Sequence, residues 1–61
     1  MIKFISELFK NRESVVVVDV TGKTHTFKQM IYFSEKDNYA VFKSNDDLHH
    51  VIAIDKIVSA H

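Results

Sequence analysis

A run of valines is the feature that most constrains the fold of this chain. Five of the six residues at positions 15–20 are valine. The β-branched side chain of valine favours extended backbone and disfavours helix, so the run predicts a strand. Because both faces of this strand are apolar, we expect at least its first half to be covered on both sides.

A short amphipathic segment precedes the valine run. Its apolar residues recur at spacings of three and four, as on one side of a helix. Lys10 and Arg12 follow, where positive charge stabilises the carboxyl end of a helix. The pattern predicts a helix over about residues 2–12 that covers one face of the sheet. Its apolar residues are Ile2, Phe4, Ile5, Leu8 and Phe9.

Extended patterns and polar turns alternate after the valine run. Gly22, the only glycine, predicts a tight hairpin turn. The next strand, at 24–33, is long and its apolar alternation is imperfect, which predicts a bulge or strong curvature near Lys28 and Gln29. Further strands are predicted at 39–43, 48–54 and 57–60. The sequence therefore predicts a mainly β fold, with an N-terminal α-helix followed by a five-stranded, strongly bent antiparallel SH3-like barrel at about 14–61.

Length and composition limit the possible classes of protein. The 61 residues are 46% hydrophobic and 26% charged, which predicts one folded domain over residues 1–61. A domain this small without cysteine has self-association as its remaining stabiliser. The absence of cysteine and of a continuous apolar run near the N-terminus leads us to expect a cytoplasmic protein with no membrane partner. Eight basic residues balance eight acidic ones, so no overall field steers the chain toward nucleic acid.

Three segments carry a family resemblance. Residues 20–23 place a glycine turn after an apolar strand, and residues 33–41 carry an acidic residue and an asparagine before an apolar strand. Residues 51–59 place a short turn before an Ile-rich last strand. This layout resembles that of the Sm-like superfamily, which includes the bacterial Hfq proteins, over nearly the whole chain. The resemblance implies an Sm-like fold and a homo-oligomeric ring that pairs strands four and five of neighbouring subunits.

The chain also departs from the family pattern. The long second strand has no glycine, and the loop at 34–38 is one or two residues longer than usual. Ile54 and Asp55 stand where Hfq-type turns have a Lys-His pair. Another SH3-like small barrel is therefore the alternative fold.

The resemblance also implies a site for single-stranded RNA. In Sm-like rings the loop after strand two and the turn after strand four build this site. Asn38 would contact a base edge, Tyr39 would stack on a base and Lys56 would contact phosphate. The carboxylates of Asp37 and Asp55 would repel phosphate unless lysines neutralise them or they turn away. The alternative function is a structural or protein-interaction oligomer that does not bind RNA. The candidate site residues are Asp37, Asn38, Tyr39, Asp55 and Lys56.

Metal and catalytic sites are not indicated. His49 and His50 are adjacent on a predicted strand, so their side chains point to opposite faces and cannot readily share an ion. No cysteine, glycine-rich phosphate loop or strand-to-helix nucleophile turn is present. We therefore expect no metal, no cofactor and no enzymatic activity.

Overall fold

One helix precedes five strands. A computed structural model describes all 61 residues, and it confirms the prediction of a mainly β fold with an N-terminal helix. The helix has ten residues and falls short of the length that a membrane span requires. The elements are α1 (Ile2–Asn11), β1 (Val15–Asp19), β2 (Thr24–Ser34), β3 (Tyr39–Ser44), β4 (His49–Ala53), a 3-10 turn η1 (Ile54–Lys56) and β5 (Ile57–Ala60).

The strands form one open sheet. They lie in the order β4-β3-β2-β1-β5, every neighbouring pair is antiparallel, and β4 and β5 form no ladder with each other. The closed barrel that we expected is therefore not formed. The sheet is nevertheless strongly curled. A flat sheet would hold β4 and β5 about 19 Å apart, whereas three linking residues span at most about 14 Å. The curl brings the end of β4 close enough to the start of β5 for η1 to connect them, but the two strands do not pair.

Two bulges bend the long strand β2. Its register against β3 shifts between Phe27 and Gln29 and again between Met30 and Tyr32, which leaves Lys28 and Ile31 as the extra residues. The bulge near Lys28 confirms the sequence prediction. The second, at Ile31, was not predicted. Each bulge increases the local twist, and together they account for the curvature of the sheet at its centre.

The core lies on the concave face of the sheet and beneath α1. Phe27 and Phe42 stack at its centre, with ring centroids 4.7 Å apart and ring planes 10° from parallel. Ile2 and Ile5 of α1 pack into the same cluster. The eight buried residues are Ile2, Ile5, Val15, Val17, Phe27, Ala40, Phe42 and Ile57.

The outer face of β1 is only partly covered, which is less than we expected for the first half of the valine run. Val15 and Val17 are buried, Val16 and Val18 are half-buried, and Val20 is 55% exposed. The predicted cover of the first half of the run is therefore complete on the face of Val15 and Val17 and partial on the face of Val16. The only α-helix packs on the side of Val15 and Val17, so no second helix completes the cover of the other face.

Asp19 organises the turn between β1 and β2. Its Oδ1 accepts hydrogen bonds from the Thr21 amide at 2.9 Å, the Thr21 hydroxyl at 2.5 Å and the Lys23 amide at 3.1 Å. Its Oδ2 lies 3.0 Å from Nε2 of His25. Gly22 adopts a φ of 84°, a left-handed conformation that costs glycine least. The carboxylate therefore holds the whole turn.

These contacts favour the charged form of Asp19. The hydrogen bond with His25, followed by that from the Thr21 hydroxyl, holds the pKa of Asp19 well below its ordinary value. The pKa values of Asp46 and Asp47 are also lowered, chiefly by hydrogen bonds from Ser44 and Lys28 respectively. The folded chain thus binds protons at these carboxylates more weakly than the unfolded chain.

Lowered carboxylate pKa values predict a loss of stability in acid. The contribution of Asp19 is complete above about pH 5 and is lost as the pH falls below about 4, where the unfolded chain takes up the proton. We expect Asp19→Asn to be less stable than the wild type at pH 7. The difference between the two proteins should narrow between about pH 5 and pH 2. Urea unfolding at a series of pH values measures this, and a constant difference would contradict the assignment.

Candidate nucleic-acid interface

Asn38 joins the loop after β2 to the turn after β4. Its backbone carbonyl accepts a hydrogen bond from the Ile54 amide at 3.2 Å, and its side-chain Oδ1 accepts one from the Asp55 amide at 3.1 Å. Asn38 has a φ of 58°, a left-handed conformation that asparagine tolerates better than most residues. The two segments that the resemblance implicated therefore adjoin. We call residues 35–38 and Ile54–Lys56 together the loop pair.

Internal hydrogen bonds fix the first half of the loop pair. The Ser34 hydroxyl donates to the Asp37 carboxylate at 3.2 Å and accepts from the Asp37 amide at 3.2 Å. The Asn38 amide donates to the Glu35 carbonyl at 3.3 Å. The carboxylate of Asp37 is thus held against its own loop, and the loop is a braced turn.

Tyr39 begins β3 directly after the loop. Its side chain is half-buried, and it stands opposite Ala53 on one neighbouring strand and Ser34 on the other. Its ring centroid lies 6.0 Å from that of Tyr32, with the planes 50° apart. The two rings present an aromatic surface on which a nucleobase can stack. Among the aromatic residues of the sequence, Tyr32 could belong to the barrel core or to a nucleic-acid surface, and it is not one of the five site residues that the resemblance implies. The bulge at Ile31 decides which face of β2 it occupies, and Tyr32 is 55% exposed.

The charges of the loop pair are unbalanced. None of the four ion pairs in the structure involves Lys36 or Lys56, so both ammonium groups are available to phosphate. The loop pair contains three carboxylates, on Glu35, Asp37 and Asp55, and only these two lysines. The lysines therefore leave Asp37 and Asp55 without an ion-pair partner, and the local charge opposes phosphate binding.

The side chain of Asn38 is only partly available to a ligand. Its Oδ1 is occupied by the Asp55 amide, whereas its Nδ2 group makes no hydrogen bond within the chain. An amide nitrogen is a donor only. Asn38 can therefore donate to an acceptor on a base edge, but it cannot offer the matched donor and acceptor that a free carboxamide would provide.

His25 and His50 each contact a different polar side chain. Nε2 of His25 on β2 lies 3.0 Å from the carboxylate of Asp19 on β1. Nε2 of His50 on β4 lies 3.0 Å from the hydroxyl of Ser44 on β3. Among all 61 residues, no group of three or more His, Cys, Asp or Glu side chains is arranged to hold a metal ion.

Strands β4 and β5 leave unpaired backbone groups at the two edges of the sheet. The flanking bonds Ser44 N to Leu48 O and Ile54 N to Asn38 O place even-numbered residues of β4 toward β3. The N–H and C=O groups of Val51 consequently point away from the sheet. Val16 and His61 exchange both backbone hydrogen bonds, so the corresponding groups of Ala60 point outward from β5.

The exposed edges carry apolar side chains as well as free backbone groups. The side chain of Val51 on β4 is 68% exposed, and Val58 on β5 is 54% exposed. Val58 is also the extra residue of a bulge against β1, since Val18 pairs with Ser59 and Asp19 with Ile57. Open edges of this kind are templates for pairing with another strand.

Comparison with known proteins gives no family assignment. No protein-family model, curated protein or solved structure matches the chain. Its function must therefore be inferred from the loop pair and the two edge strands.

Proposed function

We propose that this chain is a divergent, cytoplasmic Sm-like protein that assembles into a closed homo-oligomeric ring and binds single-stranded RNA without catalysing a reaction. One observation carries the proposal. Asn38 bonds to Ile54 and Asp55, so the loop after β2 and the turn after β4 form one surface. Tyr39 and Lys56 belong to the same two segments or directly adjoin them.

The two open edges support the proposed ring. If β4 of one copy pairs with β5 of the next, each copy uses two different surfaces, and such head-to-tail contacts close into rings when the rotation permits. The pairing satisfies the outward N–H and C=O groups of Val51 and Ala60. It also covers apolar edge side chains in a domain with only eight buried residues, which needs further stabilisation.

RNA binding uses three chemically distinct kinds of group in the loop pair and directly beside it. Tyr39, with Tyr32 beside it, stacks on a base, and the Nδ2 group of Asn38 donates to a base edge. Lys56 and Lys36, which have no ion-pair partner, contact phosphate. Repetition around a ring multiplies these weak contacts, because a flexible strand can occupy several subunits at once.

A second candidate function has its own support. The Oδ1 of Asn38 is used within the chain, and the loop pair has three carboxylates for two lysines. Both facts favour an oligomer with a structural or protein-interaction role. Since phosphate contacts strengthen as salt falls, binding at low salt separates the two functions.

Lys56→Ala tests RNA binding directly. We expect the wild type to bind uridine-rich single-stranded RNA at low salt, and the variant to bind several-fold more weakly because one phosphate contact per subunit is lost. Fluorescence anisotropy with a labelled oligonucleotide measures the affinity, and light scattering verifies that the oligomer is intact.

Lys23→Ala is the matched control. Lys23 lies in the β1–β2 turn, also lacks an ion-pair partner and is outside the loop pair, so its loss should leave the affinity nearly unchanged. An intact wild-type oligomer that fails to bind at low salt would contradict RNA binding and favour the structural role.

A further inference from the structure

The turn η1 is fixed at both ends by other parts of the chain. At its start, the amides of Ile54 and Asp55 donate to the backbone and side chain of Asn38. At its end, the carbonyl of Lys56 accepts a hydrogen bond from the Val20 amide at 2.9 Å. The first N–H groups of a helical turn have no partner inside the turn, so Asn38 satisfies two donors that would otherwise be free.

Asn38 is itself firmly anchored. Its amide bonds to Glu35 within the braced loop, and the next residue, Tyr39, enters the β3 ladder. Asn38 therefore sets the direction of η1 relative to β3. It does so through the amide of Asp55, which lies 17 positions further along the chain.

The turn is the only connection between the two edge strands. β4 ends at Ala53 and β5 begins at Ile57, with only Ile54–Lys56 between them. Because β4 and β5 lie at opposite edges of the sheet order, the direction of η1 helps to set the angle between those edges.

We infer that Asn38 is a positioning residue for ring closure, which rests on the proposed assembly through β4 and β5. In a head-to-tail oligomer every copy adds the same rotation, and the chain of copies closes only if that rotation divides a full turn. A change in the angle between the edges is repeated at every subunit. Loss of the Oδ1 contact with Asp55 therefore changes how many copies close the ring.

Two substitutions of Asn38 separate positioning from base recognition. Asn38→Asp keeps an oxygen acceptor for the Asp55 amide and tolerates the left-handed backbone, but lacks the Nδ2 donor. Asn38→Gly also tolerates that backbone and lacks the acceptor. Native mass spectrometry gives the number of copies for each protein. The same proteins are also measured by light scattering at moderate salt, which screens the charge that Asn38→Asp adds.

We expect the wild type and Asn38→Asp to show the same single stoichiometry, and Asn38→Gly to show a different one or a mixture. The midpoint of thermal unfolding shows whether each substitution destabilises the subunit itself. If Asn38→Gly melts earlier yet keeps the wild-type stoichiometry, the residue is merely structural and the inference is overturned, while the proposed ring stands. A monomeric wild type would overturn the ring and the inference together.

Discussion

Replacing Phe27 by alanine is expected to abolish the folded state or nearly so. Phe27 is 1% exposed and stacks on Phe42, and the rings of His25 and His50 lie 5.9 and 5.5 Å from its own. Truncating a buried phenylalanine costs about 3–5 kcal/mol. A single core in a domain of this size rarely supplies more than about 3–5 kcal/mol. The substitution therefore removes an amount comparable to the whole stability.

Phe4→Ala is the matched control for Phe27→Ala. Phe4 lies on α1 and is 55% exposed, so the same chemical change there should cost much less. Urea unfolding followed by circular dichroism compares the stabilities of the two variants. The protein concentration is kept the same throughout, because assembly would stabilise the folded state by mass action. A Phe27→Ala variant that unfolds cooperatively at the wild-type midpoint would show that the aromatic stack does not hold the core.

Val51→Pro is expected to convert the oligomer to monomer. The N–H of Val51 points away from β3, so proline removes no hydrogen bond within the chain. It does remove a donor that a neighbouring β5 strand would use, and its ring obstructs the approach of that strand. Light scattering at micromolar concentration should report the mass of one subunit, 7.1 kDa, for this variant.

Val51→Thr is the control for the edge substitution. Threonine is also β-branched and keeps the backbone N–H, so this variant should remain an oligomer. If Val51→Pro assembles as the wild type does while retaining its far-ultraviolet spectrum, the edge of β4 is not the contact surface.

Local patterns in the sequence predicted the elements well. The spacing of Ile2, Ile5 and Phe9 predicted α1, and the valine run predicted β1. Both signals depend only on residues close together in the chain, because the side-chain periods of helices and strands span a few positions. The imperfect alternation of β2 also predicted its bulge near Lys28. Signals of this kind depend on the chain within a few positions of each residue.

Features that depend on distant residues were not predictable in the same way. The apolar residues on the outer face of β1 led us to expect another element packed against that face. Whether such an element exists depends on the rest of the fold, and the only α-helix of this chain packs on the opposite face. The occupied Oδ1 of Asn38 depends on Asp55, 17 residues away. The resemblance to Sm-like proteins implied Asn38 as a site residue, but only the packing of η1 against the loop shows which of its polar atoms remains available.

We expect the open edges at β4 and β5 to drive closed self-assembly. Light scattering coupled to gel filtration can measure the mass of the wild-type protein across a range of micromolar concentrations and so test this expectation. A closed ring has no free edge, so we predict one species with a mass that is a whole multiple of the subunit mass and does not rise with concentration. A monomer at every concentration, or a mass that grows without limit as concentration rises, would contradict closed self-assembly.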